Sequence, residues 1–141
     1  RIKGPYGSFF MRNEIYNIVF MATGTGIAPI KSILDDLNFK CKKRLNISLF
    51  WGMRKEEDFF WIPNYKNLKI KFYKIVSRPD NPNYKYTGYV QDYAVKFIKD
   101  FTNYNIFACG SIDMINDSIA LLKNFKLNRE RFYSDAFVES K

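Results

Sequence analysis

The run Tyr16-Asn17-Ile18-Val19-Phe20-Met21-Ala22-Thr23-Gly24-Thr25-Gly26-Ile27-Ala28-Pro29 decides how the rest of the chain is read. Its first part, Tyr16–Met21, is aromatic and β-branched, the composition of a strand. It passes through two glycines into Ile27–Phe39, where Ile30, Ile33, Leu34 and Leu37 recur at helical spacing. A strand that turns through glycines into a helix leaves the first helical amides pointing outward, with the helix dipole favouring an anion. Glycine lets backbone approach a diphosphate with no Cβ in the way. Pro29 suits the start of a helix, where its missing N–H is no loss. The spacing is Gly-x-Gly-x-x-Pro, so the third glycine of the usual dinucleotide fingerprint is absent. A tight strand–helix turn that binds nothing has the same residues.

Outward from this turn the same alternation continues. Leu45–Trp51 reads as a second strand, Asp58–Trp61 as a short helical turn, and Leu68–Val76 as a third strand. Residues 77–88 carry turn chemistry, in Ser77-Arg78-Pro79-Asp80-Asn81-Pro82 and Thr87-Gly88. Val90–Ile98 has a helical apolar face, and Ile106–Cys109 is a short strand ending at Gly110. Ser111 is an N-cap for a helix over Ile112–Phe125, with Asp113 in its first turn, and Phe132–Val138 is the last strand. Strands separated by helices predict an α/β fold: a doubly wound, five-stranded parallel sheet with helices on both faces. In such sheets ligands gather at the carboxyl ends of the strands. The loops at 22–29, 52–58, 77–88 and 109–114 are therefore the places to look for function.

Composition narrows the chemistry. With 141 residues, 47% hydrophobic and 18% aromatic, the chain suits one domain with a sizeable core. It has no histidine, which excludes Ser-His-Asp and Cys-His catalysis and any histidine-held metal within it. Cys41 and Cys109 are too far apart for a CxxC pair, and two thiols alone hold no iron–sulfur cluster. A surplus of 23 Lys+Arg over 14 Asp+Glu gives +9, compatible with nucleic acid, an anionic membrane or an anionic small molecule. The basic residues are scattered, however, and the densest run, Lys40-Cys41-Lys42-Lys43-Arg44, follows a helix whose negative end it suits. No apolar run reaches the ~18 residues of a membrane span and no signal peptide is visible, so a cytoplasmic protein without membrane attachment is expected. Arg1-Ile2-Lys3-Gly4-Pro5 reads as the middle of a longer chain. Residues 1–15 are accordingly expected to be a linker and 16–141 the folded domain.

Five ordered stretches carry a family resemblance: Gly4-Pro5-Tyr6-Gly7-Ser8-Phe9; Ala22–Pro29; Trp51-Gly52-Met53-Arg54 with Asp58; Ser77-Arg78; and Cys109-Gly110-Ser111 with Met114. Together they resemble the pyridine-nucleotide domain of the ferredoxin–NADP reductase superfamily. Gly88-Tyr89-Val90-Gln91-Asp92 and Phe132-Tyr133-Ser134-Asp135-Ala136-Phe137 resemble in particular the branch of CDP-6-deoxy-3,4-glucoseen reductases and related oxygenase reductases. The resemblance implies hydride transfer from NADH or NADPH to FAD, with electrons passing on to an iron–sulfur centre. It also implies partners outside these residues: an N-terminal FAD-binding domain and, in many members, a 2Fe–2S domain or an electron-acceptor protein.

The resemblance assigns roles residue by residue. Thr23, Gly24, Thr25, Gly26, Ile27, Ala28 and Pro29 form the turn that holds the nucleotide diphosphate, and Gly52 belongs to the same cofactor site. Arg54, Ser77 and Arg78 serve the adenosine end. Cys109, Gly110, Ser111 and Met114 lie where the nicotinamide meets the flavin, Asp135 supplies a carboxylate near that pocket, and Phe137 supplies a ring that shields the flavin. For Cys109 the alternative is a buried structural cysteine, and for Phe137 a core strand residue. No unambiguous acid marks an NADH ribose site, although Asp58 and Asp80 are candidates; the branch resemblance leans to NADH. Two other readings compete: a free-standing NAD(P)H:flavin reductase, and a basic nucleic-acid-binding module without enzymatic activity.

Overall fold

The computed structural model describes residues 16–137. Five strands, β1 (Asn17–Thr23), β2 (Asn46–Met53), β3 (Ile70–Val76), β4 (Tyr104–Ser111) and β5 (Phe132–Phe137), alternate with α1 (Ile27–Phe39), α2 (Val90–Phe97) and α3 (Ile112–Leu122). The strands form a sheet of order β3-β2-β1-β4-β5 in which every pairing is parallel. This is the doubly wound architecture expected from the sequence.

Strands covered on both faces read as unbroken apolar runs, and Ile18, Val19, Phe20, Met21 and Ala22 are all buried. Alternate residues serve different layers. Ile18, Phe20 and Ala22 join Leu49, Trp51, Phe107 and Cys109 beneath Ile30, Ile33, Leu34 and Leu37 of α1. Val19, Met21, Phe50, Ile106 and Ala108 face the other way, against Val90 and Ala94 of α2 and Met114, Ile115 and Leu122 of α3. Each large side chain so buried contributes about 1.5–3 kcal/mol relative to exposure. The winding reverses at β1, since β2 pairs with one of its edges and β4 with the other. A crevice therefore opens at its carboxyl end.

The structure departs from the sequence reading between β2 and β3. The helical turn expected at Asp58–Trp61 is a 3₁₀ turn at Glu56–Asp58, closed by the Lys55 N–H donating to Asp58 Oδ2 at 3.1 Å. The aromatics that follow lie in irregular chain around Trp51, with the rings of Phe59 and Phe60 edge-on to it at 5.0 and 5.1 Å. Pro63 also biases Ile62 away from helical backbone. Packing onto a buried tryptophan outweighs local helix preference here. Strand ends differ too: β1 runs on to Thr23, which pairs with Gly52, and β4 runs from Tyr104 to Ser111.

The basic run Lys40–Arg44 is exposed beyond the C-terminus of α1, at the end of the sheet away from the crevice. Lys40 pairs with Asp36 at 3.0 Å. Among the described residues no helix is long and apolar enough to cross a membrane. The linker expectation for residues 1–15, including the Gly4–Phe9 stretch, falls outside the described residues, as does the end of the last strand read to Val138.

Candidate functional site

Two turns meet at the carboxyl end of β1 and are fixed to each other by backbone contact. Gly24–Gly26 forms a 3₁₀ turn leading into α1. Gly26 lies so close to the end of β4 that a Cβ there would collide with the carbonyl oxygen of Cys109. Gly110 has φ +151°, a backbone that side-chain-bearing residues rarely adopt, and a Cβ on it would strike Thr23 Oγ1. That hydroxyl oxygen instead accepts the Ser111 N–H at 3.2 Å. A third element joins from β2, where Trp51 Nε1 donates to the Gly24 carbonyl at 3.0 Å. The glycine turn is thus held on two sides by main chain and a buried ring.

The helix ends differ in what they leave free. α3 is capped by Ser111, whose Oγ accepts the Met114 N–H at 3.1 Å. α1 has no side-chain cap and no acidic residue in its first turn. The Ile27 N–H is taken by the Thr25 carbonyl of the preceding turn, but the positive end of the α1 dipole faces no acidic side chain of its own first turn. α2 also starts without a side-chain cap, at Tyr89. Its N-terminus sits over β2, where a Cβ on Gly52 would lie 3.0 Å from Val90 Cγ1.

These elements enclose a cleft of about 510 Å³. Its walls bring together Thr23, Gly24, Gly52, Arg54, Ser77, Ser111 and Met114, all expected from the sequence. Thr25 and Ala28 are exposed at the turn, Gly26 and Ile27 are buried beneath it and Pro29 is half-buried; none of these five lines the cleft. Arg78 is exposed and also outside the lining. Its N–H donates to the Arg54 carbonyl, and the Ser77 N–H to the Met53 carbonyl, each at 3.0 Å, so the β2–β3 ladder extends into the rim. The rim is braced further by Lys55 and Asp80 at 2.8 Å. Glu56 accepts the Asp80 and Asn81 N–H groups, both at 2.9 Å, and these bonds hold its carboxyl below the usual range.

Met53, Gly88, Tyr89, Val90, Gln91 and Asp117 also line it, and sequence reasoning gave none of them a role. Gln91 carried a visible signal, being a polar residue inside the apolar stripe between Val90 and Ala94. It is 9% exposed, and its Oε1 has no hydrogen-bond partner. An enclosed acceptor left unpaired costs about 1–3 kcal/mol. Of the two acids weighed for a ribose, Asp58 is in the wall, whereas Asp80 is held by Lys55.

The residues expected near a nicotinamide occupy the neighbouring strand ends. Cys109 pairs in register with Asp135, and Ser111 with Phe137. The Cys109 side chain is wholly buried in the layer beneath α1. Burial, reinforced by the negative charge of Asp135, pushes its thiol far above the ordinary range. The thiol is therefore a neutral packing group near neutral pH and a poor nucleophile. Iodoacetamide should label Cys41, which is exposed, and spare Cys109 until the protein is unfolded; rapid double labelling of the native chain, counted by mass spectrometry, would contradict this burial. Asp135 is half-buried. Phe137 contributes backbone to β5, and its side chain lies outside the described residues.

Comparison with known proteins gives a consistent picture. Residues 20–119 match the oxidoreductase NAD-binding domain family. All of the chain aligns at 37% identity with 44% of the CDP-6-deoxy-L-threo-D-glycero-4-hexulose-3-dehydrase reductase of Yersinia pestis. Reductase component 1 of a Comamonas terephthalate 1,2-dioxygenase is 27% identical over 99% of the chain and 43% of its own length. Among solved structures, a cytochrome P450 reductase of Amycolatopsis superposes with TM-score 0.76 at 18% identity, covering 90% of this chain and 39% of that one. The Plasmodium falciparum ferredoxin-NADP+ reductase gives 0.66 at 23% identity, covering 86% and 52%. These structural likenesses speak to the fold. The chain spans less than half the length of the two relatives named above.

Proposed function

Because the chain belongs to the oxidoreductase NAD-binding domain family, we propose that it is the pyridine-nucleotide half of a flavin-dependent NAD(P)H reductase. The flavin would be FAD in an accompanying domain, and the electrons would pass on to an iron–sulfur centre. The observation that carries this reading is the cleft itself, set at the carboxyl ends of β1, β2, β3 and β4 beside an uncapped α1. The lining suits a dinucleotide. An uncapped helix end stands beside the cleft for a diphosphate, exposed Arg54 and Tyr89 offer planar faces for a base, and Gln91 holds an unused acceptor.

NADH is the proposed nucleotide rather than NADPH. Asp58 and Asp117 line the cleft against a lone arginine, Arg54. A carboxylate accepts a ribose 2′-OH but repels a 2′-phosphate. Ser77 is in the wall, but Arg78, the expected phosphate partner, is not.

When bound, the reduced nicotinamide supplies a hydride that a flavin accepts at N5. The chain's own residues then have two tasks, to orient the dinucleotide and to keep one of its faces open. The glycine turn leading into α1 would hold the diphosphate, and the contacts between Gly26 and Cys109 and between Thr23 and Gly110 set that anchor rigidly against the end of β4. Gly110 has no side chain of its own, and that of Cys109 is buried beneath α1. A hydride carries its own electron pair, so this step needs no general base, in keeping with a chain that has no histidine.

NADH titrated into the ¹⁵N-labelled chain should shift amides at 23–27, 52–54, 88–91 and 111–117, with a dissociation constant between about 1 µM and 1 mM. The 141-residue chain alone should not oxidise NADH with ferricyanide, whereas a longer protein carrying the flavin domain should. Shifts confined to the opposite end of the sheet, or turnover by the chain without flavin, would overturn the proposal.

A further inference from the structure

We propose that the end of the sheet opposite the cleft, where the strands begin, is a docking surface for an anionic phospholipid bilayer, with Phe39 entering the interfacial layer. The proposal is independent of what the cleft binds. Basic residues that are scattered along the sequence gather there in space. In a parallel sheet every connection returns to the same edge, so the loops leading into β2, β3, β4 and β5 share one end of the molecule. Hydrogen bonds tie them together. Asn38 Oδ1 accepts the Asn67 N–H at 2.9 Å, Asn17 Nδ2 donates to the Asn103 carbonyl at 3.4 Å, and the Phe101 N–H to the Phe125 carbonyl at 2.8 Å. These loops hold eleven lysines and arginines: four in 40–45, two in 64–69, one in 98–103 and four in 123–131. Against them stand two acids, Asp100 and Glu130. The excess of nine is as large as the +9 of the whole chain, whereas loops 54–61 and 77–89, at the cleft end, hold four bases and four acids.

Helix dipoles account for little of this. Basic groups suit a helix C-terminus, but the effect falls off within the last turn, which leaves Lys42, Lys43 and Arg44 unexplained. All three are exposed, and of the eleven only Lys40 and Lys126 pair with an acid among the described residues. The form of the surface selects a bilayer. Five strand beginnings at ~4.8 Å spacing spread it over about 20 Å, a broad face. Eight of the eleven bases are lysines. Lysine is depleted at protein interfaces, and arginine is the usual choice for nucleic-acid phosphates. A compact, hydrated ammonium suits a diffuse sheet of lipid charge. Phe39 directly precedes the run Lys40–Arg44 and is 85% exposed, more than any other large apolar side chain described. An exposed aromatic flanked by lysines is the composition that an interfacial layer accepts. The lack of a spanning helix bears on crossing a membrane, not on lying against one. A chain seated by this end turns its cleft toward water.

The test is co-sedimentation of the 141-residue chain with vesicles of phosphatidylcholine, alone or mixed with phosphatidylglycerol. The chain should bind only the mixed vesicles, and lose them in ~0.5 M salt. Lys42→Ala/Lys43→Ala/Arg44→Ala should weaken binding about a hundred-fold, at about five-fold for each charge removed. Lys31→Ala/Lys85→Ala/Lys96→Ala, which removes the same charge elsewhere on the surface, should weaken it less than ten-fold. Phe39→Trp should shift its emission to the blue on mixed vesicles, and Phe39→Ser should bind about three- to ten-fold more weakly. All these side chains are exposed, so melting temperatures should stay at the wild-type value. A wild-type chain that ignores mixed vesicles would overturn the proposal, as would equal losses in the two triple variants. An unshifted Phe39→Trp spectrum on vesicles that bind it would also overturn it. So would a DNA duplex or polyglutamate that strips the chain from mixed vesicles at equal anionic charge, pointing to nucleic acid or an acidic protein instead.

Discussion

Gly26→Ala should lower the melting temperature by about 10 °C and weaken NADH binding at least ten-fold. The added methyl would collide with the Cys109 carbonyl, an atom of a central strand that has no rotamer by which to escape. Either β4 or the start of α1 must move. Overpacking a core typically costs about 1–3 kcal/mol, and the upper end applies where backbone is the obstacle. For a domain of this size 3 kcal/mol corresponds to about 10 °C. Displacing the start of α1 also displaces the amides proposed to hold the diphosphate, so stability and affinity should fall together. Gly24→Ala is the informative contrast. Nothing lies within 4 Å of a Cβ there, and the penalty comes only from φ +56°. It should cost about 1–2 kcal/mol. Equal melting temperatures for Gly26→Ala and wild type would show that the two turns are not in contact.

Trp51→Ala should be comparably damaging, for a different reason. Trp51 is wholly buried, central to the layer beneath α1, and hydrogen-bonded to the glycine turn. Removing a buried aromatic ring costs about 3–5 kcal/mol, or about 10–20 °C here. It also removes the support around which Phe59 and Phe60 are arranged. Trp51→Phe separates packing from hydrogen bonding. It keeps a ring but abandons the Gly24 carbonyl, and should cost about 1–3 kcal/mol in stability. If the tryptophan sets the pose of the turn, the phenylalanine variant should bind NADH about three- to ten-fold more weakly, measured at a temperature where it is fully folded. A phenylalanine variant with wild-type affinity would show that the turn keeps its shape unaided.

The fold was legible because its evidence is local. Apolar spacing over Ile27–Phe39, a glycine turn after an aromatic strand, and Ser111 ahead of a helix each report on their own neighbourhood, and together they specify a wound parallel sheet. The irregular course of Phe59–Trp61 was not legible, since it depends on a partner, Trp51, in another strand. The site divides along the same line. Thr23, Gly24, Gly52, Arg54, Ser77 and Ser111 sit at or just past strand ends, and Met114 in the first turn of the helix after β4, where topology alone directs attention. Gln91 stood out as a polar residue in an apolar stripe, but that it and Asp117 share a cleft follows from α2 and α3 covering the same sheet face, a relation that no window of sequence displays. The burial of Cys109, which points it into the core beneath α1, depends likewise on the long-range covering of β4.

The strand order also has a consequence in time. β1 is the middle of the sheet but the first of the five strands in sequence, and the edge of it that β4 covers waits for Tyr104–Ser111. About eighty residues must still be added before that partner exists, which at ordinary rates of synthesis means about 4–16 s. During that interval Ile18–Ala22 presents an apolar ribbon with one unpaired margin, the kind of surface that chaperones shield and that aggregates when they do not. Of the four strand pairings in this sheet, the one between β1 and β4 waits longest for its second strand to be made.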